Sequence, residues 1–177
     1  LHFRCEVTHP RIAELVASLW DQPALGFMSL MDHAPGDRQS PDIEAYKRRY
    51  RSNFGLDDAA VEAHVDALVE GSRRYGPDNR RRLAALAAAH GIPLASHDDA
   101  RPEHVEEAAG LGCVLSEFPT TVEAAKAALT LATELTTAYK HLLANEAGKR
   151  ISLGGQRLMV ALVHRCQGLF AGIDQVA

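Results

Sequence analysis

Ile92-Pro93-Leu94-Ala95-Ser96-His97-Asp98-Asp99-Ala100-Arg101 is a short apolar run that ends abruptly in a histidine and two carboxylates. Gly91 and Pro93 bound it on one side, and a helical pattern resumes behind Arg101 and Pro102, so it reads as strand, polar turn, helix. In parallel α/β folds the C-terminal ends of strands are where active sites are built. A plainer reading stays open here: Ser96, Asp98 and Asp99 cap the next helix and His97 is a loop residue.

Working outward, similar endings recur. Leu1, Phe3, Cys5 and Val7 alternate with His2, Arg4 and Glu6, which predicts a strand over 1–7 with one polar face. The face is either turned into a site or left to solvent as an edge. Pro10 opens a helix carrying Ile12, Leu15, Val16 and Leu19. Residues 26–33, G-F-M-S-L-M-D-H, form a second strand candidate, with His33 at its end and the turn Ala34–Arg38 behind it. Ser40-Pro41 and Asp57-Asp58 open two charged helices, and a further helical segment after Pro77 stops at Gly91. The R-R-Y-R and S-R-R-Y clusters on them read as solvated faces. After a helix over 102–109, a fourth strand over 113–118 brings Glu117 to its end, and Thr120 with Glu123 makes a capping box.

Four strands alternating with helices predict an α/β fold with sequential parallel strands. With Glu6, His33, His97 and Glu117 at their ends, the pattern is that of a (β/α) barrel mouth or a stretch of one. Two imidazoles and a carboxylate are a reasonable donor set for Zn²⁺ or a similar divalent ion, and a carboxylate can also bridge two ions. Serine or cysteine nucleophiles have less support: Cys5 falls on the apolar face, and there is no G-x-S-x-G elbow or glycine-rich phosphate loop.

Composition narrows the classes. The 177 residues suit one core, the net charge is −4 and the basic residues are scattered, which is no footprint for nucleic acid. No apolar run reaches the roughly 20 residues of a spanning helix, and Leu1-His2-Phe3-Arg4 lacks a signal-peptide layout, so no membrane role and a cytoplasmic setting are expected. Cys5, Cys113 and Cys166 have no C-x-x-C spacing. A chain that starts inside a strand suggests a piece of a longer protein, whose open strand edges would favour homo-oligomers.

Together, L-H-F-R-C-E (1–6), S-L-M-D-H-A-P-G-D-R-Q (29–39), L-A-S-H-D-D-A (94–100) and E-F-P-T-T-V-E-A-A (117–125) resemble the α-D-ribose 1-methylphosphonate 5-triphosphate diphosphatase family of the carbon–phosphorus lyase pathway, within the amidohydrolase superfamily. The resemblance covers residues 1 to about 128. It implies a partial (β/α)₈ barrel and a metal-dependent hydrolase of phosphonate metabolism. The activity implied is cleavage of the ribose triphosphate to the 5-phosphate and pyrophosphate. By position, Glu6, His33 and His97 match ligands of a divalent metal, Zn²⁺ or Mn²⁺. Arg4 and Arg38 are candidates for phosphate contacts, and Asp98 and Glu117 are further strand-end candidates. The family's first-strand metal motif and last-strand aspartate do not appear, so the resemblance implies little or no turnover by this chain. Residues 129–177 read as a divergent, mostly helical tail in which His164 and Cys166 serve packing. Competing readings are another amidohydrolase reaction, such as deamination or amide hydrolysis, and a non-catalytic interaction protein.

Overall fold

The computed structural model describes residues 1–22 and 24–131. Four short strands, β1 (His2–Glu6), β2 (Phe27–Met31), β3 (Leu94–His97) and β4 (Leu115–Glu117), pair in that order. Every pairing is parallel. The register sets Glu6 beside Met31, Leu30 beside Ser96, and His97 beside Glu117, so the four polar endings collect along one end of the sheet. Helices α1 (Ile12–Ser18), α2 (Ile43–Phe54), α3 (Asp58–Ala89) and α4 (Pro102–Gly110) fill the connections. Leu1–Ala125 forms one compact unit. Of the expected tail, residues 132–177, with His164 and Cys166, lie outside the described residues.

The two-residue period decides which face is covered. Cys5, Val7, Met28, Leu30 and Leu94 pack against Ala13 and Val16 of α1 and Leu83, Ala84 and Ala87 of α3. Burying a leucine-sized side chain contributes about 1.5–3 kcal/mol, and this cluster is the main apolar support of the sheet. The opposite face carries His2, Arg4, Glu6, Ser29, His97 and Glu117, and links between strands there are polar: His2 Nε2 lies 2.6 Å from Ser29 Oγ. No helix among the described residues is long and apolar enough to cross a membrane.

Two helical segments expected on either side of Pro77 are one 32-residue helix. An interior proline removes a backbone donor and crowds the preceding turn, at about 3 kcal/mol. Tertiary contacts in the next turns offset that cost. Leu83 is fully buried, Asn79 Nδ2 donates to the carbonyls of Val7 and His9 at 2.9 Å each, and Arg80 Nη2 reaches Asp32 Oδ2 at 2.7 Å. Gly71 makes close approach possible: a Cβ there would sit 2.7 Å from the Thr8 carbonyl oxygen. Helix α3 therefore clamps the ends of β1 and β2 from behind. Caps also differ in detail from expectation. Asp42, not Ser40, caps α2 by accepting from the Ala45 N–H at 2.9 Å. Thr121, not Thr120, accepts from the Ala124 N–H at 3.1 Å, while the Thr120 N–H and hydroxyl both donate to the Asp99 carbonyl, at 2.8 and 3.5 Å.

Candidate metal centre

His33 and His97 stand at the ends of adjacent parallel strands, with ring centroids 5.6 Å apart and planes nearly perpendicular. Each ring is fixed from behind by a carboxylate. Glu6 Oε2 lies 2.7 Å from His33 Nδ1, and Glu117 Oε2 lies 3.2 Å from His97 Nδ1. An N–H donated at Nδ1 leaves the Nε2 lone pair free for another partner, the tautomer seen when imidazoles bind metals. Between the two Nε2 atoms lies Asp98 Oδ2, 3.6 Å from each. That oxygen is buried and has no hydrogen-bond partner.

The backbone explains why Asp98 arrives there. Its φ is +54°, the left-handed region that non-glycine residues seldom occupy. In extended conformation the residue after His97 would point to the opposite side of the sheet; the left-handed turn returns its carboxylate to the imidazoles. The Asp98 N–H is held by the Glu117 carbonyl at 2.9 Å. Strain of this kind persists where surrounding contacts over-determine it, and it clusters at functional sites.

Potential ligand atoms of His33, His97 and Asp98 all lie within 4.8 Å of one another. The set fits a divalent cation chemically: two neutral imidazole nitrogens, one anionic oxygen, and a buried acceptor that a cation would satisfy. Glu6, expected as a ligand, lies outside this group of three. Its Oε1 accepts from the Thr8 hydroxyl at 3.1 Å and the His33 N–H at 3.3 Å, and its Oε2 engages the imidazole. Both of its oxygens are thus engaged by neighbouring groups. The hydrogen bond to the imidazole, ahead of the opposing effect of burial, also holds the His33 pKa above the ordinary histidine value.

The two arginines part company. Arg4 is exposed on the open polar face, and its Nη2 lies 3.3 Å from His97 Nε2, where it competes for the lone pair a metal would use. Arg38 is buried with 9% exposure, and its Nη1 donates to the His97 carbonyl at 3.1 Å and to Asp99 Oδ1 at 2.9 Å. In this structure both contacts turn the Arg38 guanidinium, proposed from the sequence as a phosphate contact, into the fold. Nothing local in the sequence marks Asp99 or Ser116 as part of the site's support, since a carboxylate that turns inward has no pattern of its own. Cys5 is 1% exposed and burial pushes its thiol pKa up to about 12, in keeping with its place on the apolar face.

No protein-family model matches the chain, and no solved structure matches it. Among curated proteins, the alpha-D-ribose 1-methylphosphonate 5-triphosphate diphosphatase of Escherichia coli strain K12 is 42% identical over 127 residues, which is 72% of this chain. Over that stretch the chain is a relative of the diphosphatase. The similarity is the one the four strand-end motifs pointed to. The chain spans about a third of the diphosphatase's length, 34%.

Proposed function

We propose that these strand ends hold a divalent ion, Zn²⁺ or Mn²⁺, in a hydrolase that cleaves a phosphoanhydride, and that the four strands are a stretch of an amidohydrolase-type (β/α)₈ barrel. The substrate is a small phosphorylated ribose, after the name of the relative, and the products are a ribose 5-phosphate and pyrophosphate. A cytoplasmic setting belongs to the same reading. The observation that carries it is the buried, unpartnered Asp98 Oδ2 lying 3.6 Å from Nε2 of both His33 and His97.

When bound, the ion supplies charge that polarises a phosphoryl oxygen. The chain's own groups do the rest. Glu6 and Glu117 keep the two imidazoles in the tautomer that offers Nε2, and Asp98 contributes the anionic donor. Arg4, the exposed guanidinium beside the cluster, is placed to leave His97 and pair with phosphate oxygens when a substrate arrives. A cation so placed favours an anionic substrate over the neutral amide of the competing amidohydrolase reactions.

Calorimetric titration of the metal-stripped chain with Zn²⁺ or Mn²⁺ tests the reading, with His97→Ala and Asp98→Ala as controls. One ion per chain, bound by the parent and lost in both variants, is expected. Binding that survives both substitutions would remove the site. Pyrophosphate release from the ribose triphosphate, compared with ammonia release from amides and aminated nucleosides, separates the reaction classes. Strands β1 and β4 each have one partner strand among the described residues, so self-association through their open edges is part of the proposal. Sedimentation independent of concentration would speak against it.

A further inference from the structure

Directly behind the cluster lies a buried charged network outside the group of three candidate ligands. Asp99 is completely buried, and its two oxygens face different elements. Oδ1 accepts from Arg38 Nη1 at 2.9 Å; Oδ2 accepts from the hydroxyls of Ser96 and of Ser116, the latter at 2.6 Å. The same Arg38 nitrogen also donates to the His97 carbonyl at 3.1 Å. The peptide segment 97–99 is thus gripped on both sides of Asp98. Arg38 reaches it from the loop after β2, Ser96 from β3 and Ser116 from β4. A second ion pair, Arg101 to Asp37 at 2.8 and 3.0 Å, ties the same loop to the start of α4.

A buried ion pair is a poor way to gain stability, because desolvating both charges costs about as much as their attraction returns, and apolar replacements are often neutral. What such a pair supplies is a fixed geometry. Here the fixed element is the one residue of the cluster whose backbone is strained, Asp98 at φ +54°. We infer that Arg38 and Asp99 are positioning residues that hold Asp98 in its left-handed turn, so that metal affinity is set by a pair that never touches the ion. Released from the grip, the turn relaxes toward extended backbone and the Asp98 carboxylate leaves the two imidazoles. The inference rests on the metal reading above for its consequence, but its structural half stands without metal.

Asp99→Asn keeps the shape and removes the charge; Ser116→Ala removes a single donor and is the milder variant should the first fail to fold. Two measurements are made on each. In metal-free protein, amide exchange at Asp98 is expected to rise at least about 10-fold. With Co²⁺ as the probe, affinity is expected to fall about 10–100-fold, the range for residues that support metal ligands. The visible Co²⁺ spectrum should also weaken toward that of the hydrated ion, which a loss of global stability alone would not produce below the melting transition. Arg38→Lys, which retains the charge but loses the planar fork, should fall between parent and Arg38→Gln. Unchanged exchange and an unchanged Co²⁺ spectrum in Asp99→Asn and Ser116→Ala would overturn the inference. Faster exchange with no Co²⁺ binding by the parent would retain the clamp and remove the metal reading instead.

Discussion

Replacing Asp98 with asparagine should stabilise the metal-free chain while abolishing its response to metal. Asp98 Oδ2 is buried, 3% of the residue is exposed, and no donor meets that oxygen. An unsatisfied buried polar group costs about 1–3 kcal/mol, and more when it is charged. The introduced side chain would carry no charge and could donate from its amide to an imidazole Nε2, and asparagine is enriched at positive φ, so the +54° backbone is tolerated. For a chain of 177 residues, 1 kcal/mol moves the melting temperature by about 2–4 °C, which makes the expected gain in chelator about 2–12 °C. The parent behaves in the opposite sense when metal is supplied. At one hundred times its Kd an ion adds about 2.7 kcal/mol, or about 5–11 °C on the same scale. Thermal melts followed by circular dichroism, in EDTA and in excess Zn²⁺ or Mn²⁺, read both effects. Asp98→Asn melting below the parent in EDTA, and still rising with metal, would refute the reasoning that this oxygen is an unpaired acceptor kept for a cation.

Arg4→Met should tighten metal binding, since it removes the cation 3.3 Å from His97 Nε2. Two unit like charges about 4 Å apart in water repel by about 1 kcal/mol, hence about 2 kcal/mol for a divalent ion, so the expected gain is ~30-fold in a calorimetric titration, and weaker binding would overturn that account. Gly71→Ala should cost about 1–3 kcal/mol in urea unfolding, because its Cβ would lie 2.7 Å from a backbone oxygen of Thr8 that cannot yield. Gly110→Ala, with nothing within 4 Å of the added carbon, is the control expected to be neutral or stabilising. His104 is buried, and burial followed by the charge of Arg38 lowers its pKa. A histidine lowered in the folded state contributes stability above its unfolded value, about 6.5, and loses it as the pH falls toward the folded value. Urea unfolding at pH 7.5 and 5.5 should therefore show a smaller acid loss in His104→Gln than in the parent; equal losses would assign the acid sensitivity elsewhere.

The layout of the sheet is legible along the chain. Alternation in 1–7 separates Cys5 from His2, Arg4 and Glu6, and the structure shows this separation as a packed face and a polar one. Strand endings at His33 and His97 are equally legible, because a short apolar run closed by an imidazole and acids is a local pattern. Which acid joins the imidazoles depends on the folded chain. Glu6 and Asp98 are both carboxylates at strand ends, and only the register and the +54° turn send Asp98 between the rings while His33 and Thr8 engage Glu6. Arg38 likewise looks from its loop like a free cation, and it is the burial of Asp99, 61 positions away, that draws it inside. Pro77 reads as a break, yet the contacts of Asn79, Arg80 and Leu83 keep α3 continuous through it. Periodicity is set by a residue's own backbone and can be read along the chain; a side chain's partner depends on which distant segment folds against it.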